Sequence, residues 1–222
     1  MPRTPVLLSW SSGKDSAHAL AVLRRDPAVE VRALLCTVRA DDRVAMHGVR
    51  RELLERQARA AGLPLLTVEL PTPTPNDAYE RLMRDALQPA RRDGIEAVAF
   101  GDLFLEDVRA YREANNAKLG LRSLFPLWGR DTAELAREML ASGLRAKLAC
   151  VDTRQVPAEL AGREFDAELL AELPAGADPC GENGEFHTFV YDAPAFTAPI
   201  PVRTGEARES DGFVHMDLVP VD

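Results

Sequence analysis

The chain has 222 residues, 46% of them hydrophobic, enough for one large domain or for a domain with a sizeable appendage. Its net charge of −8 argues against nucleic acid as a partner, which a protein would coat through a basic face, while leaving room for a small basic pocket. Neither a signal peptide nor an apolar run of membrane-spanning length is expected, and Cys36, Cys150 and Cys180 lack zinc or disulfide spacing and fit a cytoplasmic, reducing compartment.

Residues 6–10 read as a strand that ends in Ser11-Ser12-Gly13-Lys14-Asp15-Ser16, and residues 16–25 carry Ala17, Leu20, Ala21 and Leu23 on one helical stripe. A strand, a tight loop and a helix start in that order aim backbone N–H groups and the positive end of a helix at one point, which suits phosphate. Ser11, Ser12 and Ser16 add hydroxyl donors, Lys14 adds positive charge, Gly13 lets the backbone approach a ligand, and Asp15 can hold Mg²⁺. The loop is not a Walker A motif: Asp15 follows Gly13-Lys14, and no glycine stands five residues before Gly13. The plain alternative, a turn with Ser and Asp as helix caps, leaves most of the six residues unexplained.

Residues 29–38 read as a second strand. Residues 47–61 read as a helix with Val49, Leu53, Leu54 and Ala58 inward and Gly62 as its C-cap, and residues 63–70 as a buried strand. Pro71-Thr72-Pro73-Thr74-Pro75 must be loop; Asn76 is placed to cap a helix running to about residue 93; residues 95–100 form another buried strand, ending at Gly101-Asp102. The alternation predicts an α/β fold with a parallel, Rossmann-like sheet covered on both faces. Ligands of such sheets lie beyond the carboxyl ends of the strands, where Ser11 to Ser16, Thr37, Gly101 and Asp102 all fall. His47, beside Gly48, is placed either to contact a ligand or simply to face water.

From about residue 131 the pattern changes. Asp131 and Glu134 form a capping box for a helix through Ser142, closed by Gly143. Residues 145–151 read as a strand and 165–173 as a short helix. Residues 186–191, 200–204 and 212–219 are β-like, with a turn at Ser210-Asp211-Gly212. The expected division is a nucleotide domain over residues 1–130 and a smaller α+β region over residues 131–222.

The stretch Asp178-Pro179-Cys180-Gly181-Glu182-Asn183-Gly184-Glu185-Phe186-His187-Thr188 packs three acids, an Asn, a Cys and a His just before a strand. A turn needs the glycines but not the acids, and like charges so close are costly unless a cation or polar ligand joins them. The functional reading is a substrate or metal loop; the plain one is a turn with Glu182 and Glu185 solvated as exposed carboxylates.

Three segments together resemble one family: the loop at residues 11–16, Gly101-Asp102-Leu103-Phe104-Leu105-Glu106-Asp107-Val108-Arg109, and Gly181-Glu182-Asn183-Gly184-Glu185-Phe186-His187-Thr188. They are similar to the diphthamide-synthesis ATP-binding family, the diphthine–ammonia ligases, among the PP-loop ATP pyrophosphatases of the adenine nucleotide alpha-hydrolase-like superfamily. The loop of that family usually reads Ser-Gly-Gly-x-Asp-Ser, and here Ser12 replaces the first glycine. The family's later loop usually reads Gly-Glu-Gly-Gly-Glu-Phe-Glu-Thr; here Asn183 replaces a glycine and His187 a glutamate.

The resemblance implies a HUP-type nucleotide domain and an ATP-dependent, amide-forming ligase with ATP and Mg²⁺. Pyrophosphate would leave as a carboxylate acceptor is adenylated, and ammonia or an amine would then displace AMP. Lys14, Asp15, Glu182 and Glu185 would be catalytic, with Asp15 on the metal; Ser11, Ser12, Gly13, Ser16, Thr37, Gly101 and Asp102 would complete the ATP site. His47, Asn183, His187 and Thr188 would meet the acceptor, a protein side chain or a small molecule. The sequence admits a homodimer. The alternatives are a PP-loop tRNA sulfur transferase, against which the missing Cys pair counts, and a non-catalytic ATP- or AMP-binding regulatory module.

Overall fold

The computed structural model describes residues 2–221. Five strands, β1 (Thr4–Ser9), β2 (Val29–Arg39), β3 (Leu65–Leu70), β4 (Ala97–Ala99) and β5 (Arg122–Leu124), form a parallel sheet in the order β3-β2-β1-β4-β5. Helices α1 (Lys14–Arg25), α2 (Arg51–Ala61), α3 (Asn76–Arg92) and α4 (Glu106–Ala117) supply the crossovers. The chain leaves β1 toward β2 and β3, then returns to the other side for β4 and β5. The order therefore reverses between β1 and β4, where loops diverge and leave a crevice.

Side chains alternate across each strand, so β1 sends Leu7 to one face and Val6 and Leu8 to the other. Leu7, Leu35, Val98 and Phe100 form one core layer with Leu87 of α3. Val6, Leu8, Leu34 and Ala97 form the other with Leu20 of α1 and Leu54 of α2. This second layer runs without a break into the rest of the chain. There, α5 (Thr132–Ala141), β6 (Arg145–Asp152), α6 (Ala167–Glu172), β7 (Phe186–Asp192), β8 (Val202–Ser210) and β9 (Phe213–Pro220) make an antiparallel sheet of order β7-β6-β9-β8 with two short helices. Leu148, Phe186, Phe189 and Val190 belong to the same buried cluster as Leu8 and Leu20.

Several local details differ from the sequence expectations. The helix expected from residue 47 begins only at Arg51. Residues 43–50 form a small excursion with bridges Val38–Val44 and Arg43–Arg50, and Met46 and Gly48 are left-handed, at φ 65° and 68°. Gly48 is required there, since a Cβ would stand 2.8 Å from Nδ1 of His215. Asn76 is the first residue of α3 rather than its cap; Pro75 holds the cap position, without a side-chain bond. Strand β5 is only three residues long and carries no alternation to betray it. Strand β8 runs to Ser210 instead of Thr204; it is exposed along nearly its whole length, so apolar periodicity does not mark it. The capping box is half made: Asp131 Oδ1 accepts from the Glu134 N–H at 2.8 Å.

Candidate active site

A crevice of about 480 Å³ lies over the carboxyl ends of the parallel strands, a volume suited to a nucleotide-sized ligand. Ser11, Lys14, Asp15 and Ser16 line it from the loop after β1, Thr37 from the end of β2, and Gly101 and Asp102 from the end of β4. Glu182, His187 and Thr188 close it from the opposite side, and His47 from the excursion after β2. Sequence separation thus collapses onto one site, and the acidic loop faces the phosphate loop.

The phosphate loop is held from behind. Ser12 has a positive φ of 70° and is fully buried, so its side chain faces the core and does not reach the crevice. Its carbonyl accepts from the Val190 N–H of β7 at 3.0 Å and from Gln57 Nε2 at 3.0 Å. The same Gln57 amide donates to the Val190 carbonyl at 2.6 Å and accepts from Trp10 Nε1 at 2.8 Å. Gly13 is needed for packing: a Cβ there would lie 2.8 Å from Cε1 of His47 and 3.3 Å from Thr188. Gly101 is needed for the same reason, with its Cβ position 3.0 Å from the Asp15 backbone. At Gly13 the missing side chain makes room for the protein's own His47 ring and Thr188.

Lys14 also behaves differently from a free phosphate-binding lysine. Its side chain is 2% exposed. Its ammonium lies 2.9 Å from Asp15 Oδ2, donates to the Cys180 carbonyl, and sits 5.3 Å and 5.6 Å from the ring centroids of Phe186 and Phe165. Burial works against this charge, but Asp15, with Cys180 and Glu182 nearby, outweighs it, and the ammonium is raised above its ordinary value. The Lys14 backbone N–H donates to Thr188 Oγ1 at 3.0 Å, so the start of α1 is tied to β7. Asp15 is the one carboxylate on the phosphate loop, and no cluster of three His, Cys, Asp or Glu suited to a metal exists among the described residues. A Mg²⁺ ion carried on a nucleotide's phosphates would find Asp15 as the carboxylate that could meet it.

The acids of the second loop divide into two kinds. Asp178 Oδ2 accepts from the N–H groups of Cys180 and Glu182 at 3.1 Å and 2.9 Å. Glu185, 1% exposed, accepts at Oε1 from the Asp178 N–H at 2.8 Å and from Asn183 Nδ2 at 3.0 Å. These two carboxylates fold the loop on itself. Neither Glu185 nor Asn183 lines the crevice, and the expectation of an exposed, solvated Glu185 is overturned by its burial. Glu182 is the acid that faces the crevice. Its Oε1 accepts from the Leu103 N–H at 2.7 Å, and burial raises its carboxyl to about 7 against that hydrogen bond.

His47 and His187 stand together at the crevice wall, their ring centroids 4.6 Å apart. Burial keeps both neutral: His187 falls to about 4 and His47 well below its ordinary value, with Lys14 adding repulsion in each case. Asp102 is paired with Arg112 of α4, Nε to Oδ2 at 2.7 Å, and the Arg112 guanidinium lies 4.5 Å from the Phe100 centroid. Arg112, Tyr79, Met83 and Phe100 line the crevice as well, and sequence reading missed all four. A helix period from the Gly101-Asp102 strand end could have singled out Arg112; nothing in the sequence marks the others apart from ordinary core residues.

Comparison with known proteins agrees with this geometry. Residues 3–123 match the diphthamide synthase N-terminal domain and residues 131–218 the diphthamide synthase C-terminal domain. This chain belongs to the diphthamide synthase family. It is 32% identical over 174 residues to diphthine–ammonia ligase of Danio rerio, covering 70% of this chain and 68% of that protein. Against the enzymes of the same name from Rattus norvegicus and Homo sapiens the identities are 35% and 31%, over 68% of this chain and 60% of each relative. The chain thus spans three fifths of the length of these two mammalian relatives. The family's two domains bracket the crevice: one carries the phosphate loop and the other the loop of Glu182 and His187. No helix among the described residues is long and apolar enough to cross a membrane.

Proposed function

We propose that this chain is an ATP-dependent amide-forming ligase, with ATP held by the part over residues 1–130 and a carboxylate acceptor by the part over residues 131–222. The observation that carries this reading is the meeting of the two family loops on one crevice, sealed by the bond from the Lys14 N–H to Thr188. Adenylation and amide formation need the nucleotide phosphates and a second substrate in one water-poor space. Ser11, Ser16 and the start of α1 face the departing pyrophosphate, and Asp15 would hold Mg²⁺, which supplies charge neutralisation there. Glu182, near-neutral and anchored by Leu103, orients the acceptor or the amine. Lys14, at the crevice wall, keeps the two loops in register. Ammonia is the amine of the relatives' printed name. The acceptor here is read as a carboxylate of a protein or a small molecule, and the compartment as cytoplasm.

A sulfur transferase would need a reactive thiol. Cys36, Cys150 and Cys180 are all buried, and burial pushes each to about 12. The deciding experiment supplies Mg·ATP, ammonium and a panel of carboxylates and separates the nucleotide products. AMP with pyrophosphate is expected. ADP as the only product would overturn the adenylation chemistry, and tight nucleotide binding without any product would leave a regulatory ATP-binding module instead.

A further inference from the structure

We propose that His47 is the proton acceptor for the attacking amine, with His187 as the residue that positions it. The inference rests on the amide-forming reading above and assigns its proton-transfer step.

The tautomer of His47 is fixed by a backbone carbonyl. Its Nδ1 lies 3.0 Å from the Thr188 oxygen. A carbonyl only accepts, so Nδ1 carries the proton and Nε2 is left with a bare lone pair. Cε1, which lies between the two ring nitrogens, packs on the phosphate loop, 2.8 Å from where a Cβ on Gly13 would stand, and the ring lines the crevice. Nε2, like Nδ1, is therefore one bond from the atom that packs on that loop.

Burial, the His187 ring 4.6 Å away and Lys14 beyond it disfavour a second proton on His47, against the Thr188 carbonyl, which favours one, and neither the excursion nor β7 puts a carboxylate against it. The crevice carboxylates are engaged. Asp15 is paired with Lys14, Asp102 with Arg112, and Glu182 with the Leu103 N–H. Negative charge on a bound nucleotide would raise the proton affinity of His47, so that it becomes a base only when loaded.

The step balances. The nitrogen lone pair of ammonia forms the C–N bond at the acyl carbon. The bond from that carbon to the AMP oxygen breaks, and its electron pair leaves with AMP. One N–H proton passes to His47 Nε2 and from there to water. His187 makes no bond in this scheme; its ring keeps the His47 plane in place.

The test uses the full chain with any carboxylate that gives turnover in the panel above. His47→Gln keeps a polar ring-sized group but no base. It should leave pyrophosphate release in the first turnover within about threefold and slow amide formation by about 10²-fold, the range of general-base loss. His47→Ala should regain amide formation on addition of free imidazole, which a purely structural residue would not allow. His187→Ala, which removes the neighbouring ring, should slow amide formation more than pyrophosphate release, and His187→Phe, which restores a ring, should recover part of that loss; equal rates of amide formation in the two variants would overturn the positioning role. Equal loss of both half-reactions in His47→Gln, or no imidazole rescue in a folded His47→Ala, would overturn the assignment. Absence of pyrophosphate release from the unaltered protein would instead defeat the ligase reading itself. The tautomer is checked separately by ¹⁵N NMR of the ring nitrogens, where a protonated Nε2 would also reject it.

Discussion

The two loops that face each other across the crevice are built on opposite plans. The phosphate loop is supported chiefly from outside: Gln57, Val190 and Thr188 hold its backbone, while its own Ser16 hydroxyl donates to the Gly13 carbonyl at 2.9 Å and still lines the crevice. The loop of residues 178–188 supports itself, since Asp178 and Glu185 accept from its own amides, and of its acids only Glu182 reaches the crevice. Similar densities of polar residues therefore mean different things. A carboxylate counted in a sequence is a functional candidate only if the loop does not consume it.

The contrast is broken most severely at Asp15. Asp15→Asn should lower ATP turnover by about 10²-fold or more, by loss of transition-state charge stabilisation, while circular dichroism reports a folded protein. Asp15→Ala should in addition melt earlier, because it leaves the buried Lys14 ammonium without its carboxylate. Turnover by Asp15→Asn equal to the unaltered enzyme would remove the PP-loop assignment.

Next in size is the self-supporting part. Glu185→Ala should cost about 1–3 kcal/mol in urea unfolding, because two donors lose a buried acceptor. Glu182→Gln should cost little stability and strongly impair amide formation. If Glu185→Ala unfolds no more easily than Glu182→Gln, the division between the two acids is wrong.

A pH series sharpens the same pair. Glu182 titrates at about 7 in the folded chain against 4.5 for an ordinary carboxyl, so the folded state holds its proton more tightly. Its contribution is fully present below the lower value and is lost as pH rises toward the upper one. Unfolding free energy relative to Glu182→Gln should fall by on the order of 2 kcal/mol between pH 4.5 and 7.5. A difference that is flat with pH would contradict the burial of this carboxyl. The smallest effect is expected at Asn183, whose amide only braces Glu185: Asn183→Ala should cost about 1 kcal/mol or less and leave acceptor affinity unchanged.

The parallel sheet was legible because β1, β2 and β3 are apolar runs bounded by turn residues, and the site's position followed from their carboxyl ends. The phosphate loop was legible because six small or charged residues in one context have few other uses. What stayed hidden depends on three-dimensional neighbours. Gly13 and Gly101 look like ligand glycines in sequence, and in the fold their open sides meet the protein's own atoms. Gln57 looks like one more polar residue of an amphipathic helix, yet it is fully buried. Arg112 joins the crevice only because α4 starts beside Asp102, and β8 carries no apolar pattern since neither of its faces is covered.

The amide of Gln57 bonds with Trp10, with Ser12 and with Val190 at once. Two of these lie in the first third of the chain and one in the last fifth, so a single side chain completes the hydrogen bonding of both. Cut between β5 and α5, each fragment would expose apolar surface that the other covers in the shared core. Two such fragments should therefore find each other when mixed, which makes the chain suited to fragment complementation, with recovery of ATP binding reporting their reunion.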